Sequence, residues 1–234
     1  KGVILLSQTA IVTGASSGIG KAITWKLAEE GINVILASRN EGKLADLEKE
    51  INESKVGNAR FIVTDVSNRE QVENMVEEVI AHFGSIDYLI NNAGVMLNAV
   101  VTEGKVEEWE EMIDTNIKGV LYGTNAVLPY MLKQKTGHII NIASVSGFEI
   151  SKRSTVYSAT KFAVRAISTG LEKELAHTGV RVTNISPGMV DTNLTSRMNM
   201  TRKPLEPEDI ANAVFYAISQ PPYVNVNEIT VRPV

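Results

Sequence analysis

Short apolar runs alternate with amphipathic stretches along the chain, and few folds accept that pattern. Residues 9–12, 33–37, 61–63, 86–90, 138–143, 181–186 and 228–232 read as strands. Several lack the in-and-out alternation of a half-solvated strand, so they belong in a parallel sheet covered on both faces. Between them lie helical patterns. One helix covers 20–30 and stops at Gly31, and the next carries the stripe Leu44, Leu47 and Ile51. Ser67 with Glu70 reads as a capping box opening a helix that places Val72, Met75, Val76, Val79 and Phe83 on one face. A long helix covers 107–134, another carries Tyr157, and a last one covers 208–219. The prediction is an α/β fold: a doubly wound parallel sheet, Rossmann-like, in a single domain of about seven strands over residues 1–234.

Composition narrows the function classes. With 234 residues, 44% of them hydrophobic, the chain can bury one large core. A net charge of −4 argues against nucleic acid as the main partner. There is no cysteine, which removes disulfides, thiolate metal sites and cysteine nucleophiles. The three histidines, His82, His138 and His177, have no metal-ligand spacing. The opening apolar run Val3–Leu6 is too short for a signal segment or a membrane span, so the chain reads as cytoplasmic.

The candidate chemistry sits where strands end. The first strand runs into Thr13-Gly14-Ala15-Ser16-Ser17-Gly18-Ile19-Gly20. Glycines at such a turn let backbone approach a pyrophosphate, and the helix start supplies amide donors and a positive dipole. A P-loop is excluded, since that motif needs Gly at 15 and Ser or Thr at 22, where the chain has Ala15 and Ala22. The fourth strand ends in Asn91-Asn92-Ala93-Gly94, a turn that amide side chains can hold. Asn116 is a polar residue in mid-helix that requires a reason, and Ser144 ends the fifth strand. Tyr157 and Lys161, four apart, share a helix face, where a cation near the phenol favours its ionised form.

With these residues in order, nearly the whole chain resembles the short-chain dehydrogenase/reductase family, in its one-domain branch. The resemblance rests on the turn at 14–20, Asp65, the Asn91–Gly94 turn, Asn116, Ser144, Tyr157, Lys161 and Pro187-Gly188. It implies hydride transfer with Tyr157 as general acid or base. Lys161 would lower the phenol's pKa and hold the nicotinamide ribose, Ser144 would polarise the substrate carbonyl, and Asn116 would anchor a water leading to Lys161. The positions it assigns to the cofactor are Gly14, Ser16, Ser17, Gly18, Ile19, Gly20, Ser38, Arg39, Asp65, Val66, Asn91, Ala93, Gly94, Tyr157, Lys161, Pro187, Gly188, Val190 and Thr192. Strand two ends in Ala37-Ser38-Arg39-Asn40 with no carboxylate, whereas an acid there would bind the ribose 2′-hydroxyl of NAD. Ser38 and Arg39 suit a 2′-phosphate instead, which predicts NADP(H). For the substrate, a small carbonyl or alcohol, the resemblance points to Ser144, Phe148, Tyr157 and Met189 and to a loop over 189–205 that includes Leu194, Met198 and Met200. The C-terminal 227–233 resembles the branch that oxidises serine and related 3-hydroxy acids. A homo-oligomer, dimer or tetramer, is also implied. A dinucleotide-sensing protein without chemistry is the alternative.

Overall fold

A computed structural model describes residues 8–97, 99–192 and 203–234. Seven strands form one sheet: β1 Thr9–Thr13, β2 Asn33–Ser38, β3 Asn58–Val63, β4 Tyr88–Asn91, β5 Gly137–Ile142, β6 Val180–Pro187 and β7 Glu228–Val231. Their order is β3-β2-β1-β4-β5-β6-β7 and every pairing is parallel. The chain starts in the middle, winds outward to β3, then returns to lay β4 against β1. That reversal leaves a crevice at the carboxyl ends of β1 and β4, the place where such sheets bind ligands.

Helices cover both faces because β1 and β5 are buried along their whole length. Helices α1 (Gly18–Glu29), α2 (Glu41–Ser54) and α7 (Pro207–Ile218) pack on one face, with Ile23, Leu27, Leu44, Leu47, Ile51, Ile210 and Val214 against Val12, Leu36 and Ile140. Helices α3 (Arg69–Phe83), α5 (Gly119–Gln134) and α6 (Thr155–Glu174) pack on the other, placing Val72, Met75, Val79, Val127 and Met131 against Ile11, Ile35 and Leu89.

Two expectations are corrected. The cap of α3 is Asn68, whose side chain accepts from Gln71 N at 3.1 Å, and not Ser67. The Ser67 hydroxyl is drawn to Asp65 Oδ1 at 2.7 Å, which moves the helix start one residue on. The long helix is also not regular. After α4 (Val106–Ile113), a π-helical turn over Asp114–Lys118 leads into α5, and Asn116 lies at its centre. Such turns occur often at functional sites. Among the described residues no helix is long and apolar enough to cross a membrane.

Candidate active site

The crevice is built first by backbone. Gly14 takes a left-handed φ of +66°, and a Cβ at Gly20 would run into the Gly14 carbonyl and the Asn92 amide. Only glycine lets the turn close so tightly on the start of α1. Thr13 then fastens β1 to β4. Its hydroxyl donates to Ile90 O at 3.2 Å and accepts from Asn92 N and Ala93 N, both at 3.0 Å. Asn92 Nδ2 returns a bond to Thr13 O at 2.9 Å. Asn92 thus holds the turn as an amide side chain there was expected to, and Thr13, quoted with the glycine turn but given no role, is its partner.

The result is a cleft of about 480 Å³. Its lining includes Gly14, Ser16, Ser17, Gly18, Ile19, Gly20, Ser38, Arg39, Asp65, Val66, Ala93, Gly94, Ser144, Tyr157, Lys161, Pro187, Gly188, Met189, Val190 and Thr192. Three predicted residues lie elsewhere. Asn91 is buried in the sheet, where Nδ2 donates to Asn141 Oδ1 at 2.9 Å, because strand alternation turns it away from its neighbour Asn92. Phe148 does not line the cleft. The Arg165 guanidinium stacks 3.4 Å from its ring centroid and holds it aside. Asn116 is buried behind the cleft.

At the end of the cleft formed by β2 and the residues after β3, Arg39 opens into solvent with Nη1 3.9 Å from Glu111 Oε1. Asp65 is fixed by its own turn, its Oδ1 accepting from Ser67 N at 2.9 Å. Val66 packs so closely under Gly119 that a Cβ there would come within 2.9 Å. At the far end, β6 delivers Pro187 and Gly188, and Gly188 N donates to Val231 O at 2.7 Å, tying this wall to β7. Leu205 N donates to Met189 O at 2.9 Å, while Leu194, Met198 and Met200 lie outside the described residues.

The reactive cluster stands at that far end. Tyr157 and Ser144 line the same part of the cleft, and Ser144 Oγ accepts from Ser146 N at 3.1 Å. Burial pushes the Tyr157 phenol above its ordinary range, and the Ser144 hydroxyl pulls the other way. The expected partner does less than predicted. Lys161 Nζ donates to Ile142 O at 2.9 Å and lies 5.9 Å from the Tyr157 ring centroid, and burial, not the ammonium, sets the direction in which the phenol shifts. Burial lowers Lys161 itself to about 8. Desolvation penalises the ammonium, and a single carbonyl compensates it only in part.

Asn116 is held by three side-chain hydrogen bonds. Its Oδ1 accepts from Val95 N at 2.8 Å, and its Nδ2 donates to Val95 O at 2.9 Å and to Thr160 Oγ1 at 3.0 Å. The side chain is a clamp between the β4 turn and α6. The π turn places it there. Thr160 Oγ1 donates in turn to Tyr157 O at 2.7 Å, so the clamp reaches the backbone of the phenol.

Comparison with known proteins decides the family. The description of the short chain dehydrogenase family matches residues 8–203. The chain belongs to the short-chain dehydrogenase family. An "uncharacterized oxidoreductase" of Staphylococcus saprophyticus is 56% identical over 233 residues, covering 99% of this chain and all of that one. Serine dehydrogenase from Escherichia coli is 38% identical with a TM-score of 0.85, over 96% of this chain and 97% of that chain. The closed form of serine dehydrogenase complexed with NADP+ is 36% identical with a TM-score of 0.87, over 96% and 94% of the two chains. This short-chain dehydrogenase is thus an oxidoreductase on a seven-stranded Rossmann-like sheet. Among its described residues no group of three His, Asp or Glu side chains converges on a metal position. His138 is buried at the opposite, amino end of β5, with Nε2 2.7 Å from Thr183 Oγ1. Thr183 gives its only proton to Val226 O, so His138 is the donor and is held neutral, with a pKa lowered to about 3 by burial.

Proposed function

We propose that the protein is an NADP(H)-dependent, cytoplasmic dehydrogenase/reductase that moves a hydride between nicotinamide and a small carbonyl or secondary alcohol. One observation carries this: the Tyr157–Ser144 hydroxyl pair stands in the same cleft as the glycine turn and Arg39. The cleft fits a dinucleotide. Gly14, Gly18 and Gly20 leave backbone where Cβ atoms would clash, the amides of the α1 start face the opening, and no carboxylate follows Ser38 before Glu41. Arg39 and Ser38 would take the 2′-phosphate, and the Asp65–Val66 wall the adenine. Lys161 would hold the ribose at the far end.

Bound there, the nicotinamide supplies or accepts the hydride. The protein does the rest. Ser144 and Tyr157 hydrogen-bond one substrate oxygen and stabilise its developing charge. Tyr157, held above its ordinary pKa, carries its proton at neutral pH and gives it to that oxygen in carbonyl reduction. In alcohol oxidation it takes the proton back. The phenolate is then supported by the Ser144 hydroxyl and by the positive Lys161 nearby. Asn116 and Thr160 keep α6 and the β4 turn in register, so the phenol stays aimed.

For the substrate we favour a 3-hydroxy acid such as serine. Two solved serine dehydrogenases match over almost the whole chain, and the lining at Met96 and Met189 admits a small molecule. The chain would work as a homo-oligomer, a dimer or tetramer, which light scattering would measure. The functional test is a panel of 3-hydroxy acids, alcohols, ketones and aldehydes with NADP(H) and NAD(H), followed by nicotinamide absorbance. Turnover with NADP(H) is the expected result. Binding of NADPH with no turnover on any member would favour a dinucleotide sensor.

A further inference from the structure

The helix that carries Tyr157 and Lys161 carries Arg165 one turn further on, at the same spacing of four. Arg165 does not reach the reacting atoms, yet four contacts converge on it. Nε and Nη2 form a two-point pair with Glu228 of β7, at 3.0 and 3.2 Å. Nη1 donates to Gly147 O at 3.0 Å, and the guanidinium plane stacks on Phe148. Gly147 and Phe148 close the short turn that begins at Ser144. Gly147 N donates back to Ser144 O at 2.9 Å, and Phe148 N to Val145 O at 2.9 Å. The turn is pressed onto α6 so closely that a Cβ on Gly147 would come within 2.8 Å of Arg165 Cδ and 2.9 Å of Lys161 O.

We propose that Arg165, fixed by Glu228, is a positioning residue: it anchors the turn bearing Ser144 so that the serine hydroxyl meets the Tyr157 phenol. A bidentate guanidinium–carboxylate pair sets both direction and distance, which a lysine in its place would not. Glu228 is itself oriented by Asn184 Nδ2 at 2.9 Å, so the anchor runs back into the sheet. The helix that delivers the phenol thereby also fixes the phenol's partner. The charged groups packed around this turn are Lys161 and Arg165 from α6, Glu149 at its end, Glu228 from β7 and Arg232 just after it. Of these, Arg232 is paired with Glu149 at 2.8 Å.

This inference rests on the proposed oxidoreductase mechanism, and its test separates the two. Arg165→Met keeps the packed stem and removes the fork, Glu228→Gln keeps shape and removes charge, and Arg165→Lys keeps charge without the fork. The first readout is the Tyr157 phenol titration, followed by NMR on tyrosines labelled with ¹³C at Cζ and assigned with Tyr157→Phe. It needs no turnover. Both Arg165→Met and Glu228→Gln should move the Tyr157 titration upward, because the Ser144 hydroxyl, which acts to lower it, is displaced with its turn, while Arg165→Lys should restore it only in part. The second readout is kinetic: kcat about tenfold lower or more, with NADPH dissociation constant within about twofold of the parent. If the Tyr157 titration stays in place in folded Arg165→Met and Glu228→Gln proteins, the proposal is overturned. It is also overturned if NADPH affinity falls in proportion to kcat. A parent protein that titrates as described but moves no hydride would refute the mechanism and leave the positioning role standing.

Discussion

At the dinucleotide end of the cleft, backbone closes on backbone: Gly14, Gly18 and Gly20 remove side chains, and Thr13 and Asn92 tie two strand ends together with four hydrogen bonds. At the substrate end, side chains hold side chains. Ser144 meets Tyr157, Asn116 meets Thr160, and Arg165 meets Glu228 and the turn at Gly147. A pyrophosphate needs amide donors in one fixed array, which short-range turn chemistry supplies. A proton-transfer pair needs atoms from the end of β5, the π turn and α6 brought together, which only tertiary packing supplies. Substitutions at the two ends should therefore fail differently.

The largest effect belongs to the phenol. Tyr157→Phe should lower kcat by about 10²-fold or more while leaving the NADPH dissociation constant within about twofold, by steady-state kinetics and fluorescence titration. Near-normal turnover would remove Tyr157 from the chemistry. Arg39→Ala should cut kcat/KM for NADPH by about 10- to 100-fold, the worth of charge-assisted hydrogen bonds, and spare NADH. Equal losses with both cofactors would show that Arg39 does not read the 2′-phosphate. Gly20→Ala should destabilise the fold by about 1–3 kcal/mol through overpacking against Gly14, seen as a lower denaturant midpoint. An unchanged midpoint would mean the turn has room to relax.

Acid should act on the scaffold instead of the cleft. His138, with an ordinary pKa of 6.5 and a folded value of about 3, binds a proton more readily in the unfolded chain. Its contribution is therefore intact above pH 6.5 and is lost progressively as pH falls toward 3. Denaturant unfolding across that window should show a slope that His138→Gln flattens. The smallest effect is expected at Phe148, stacked under Arg165 outside the cleft: Phe148→Leu should leave cofactor KM within about twofold. A larger change there would place Phe148 in contact with the ligand.

The same contrast explains what could be read from the chain. The sheet was legible because unbroken apolar runs such as Val34–Ala37 have few other uses, and the glycine turn because its spacing is local. Asn116 was singled out, but its π turn and its bonds to Val95, twenty-one residues away, are encoded by no local pattern. Asn91 and Asn92 are adjacent and chemically identical. Which one faces the cleft is a matter of strand register. Phe148 lies outside the cleft because Arg165 captures it from another element, whereas Lys161 lines the cleft but spends a donor on Ile142 O. The extended run at 227–233 gave the last strand, but nothing in it foretold that Glu228 would fasten the serine turn.

The most direct test is a crystal structure of the protein with NADP+ bound. The account predicts the 2′-phosphate within hydrogen-bonding reach of Ser38 and Arg39, the pyrophosphate over the Gly14–Gly20 turn, and the nicotinamide ring beside Tyr157 and Ser144. A dinucleotide lying in the reverse direction, or with its nicotinamide away from the Tyr157–Ser144 pair, would contradict it.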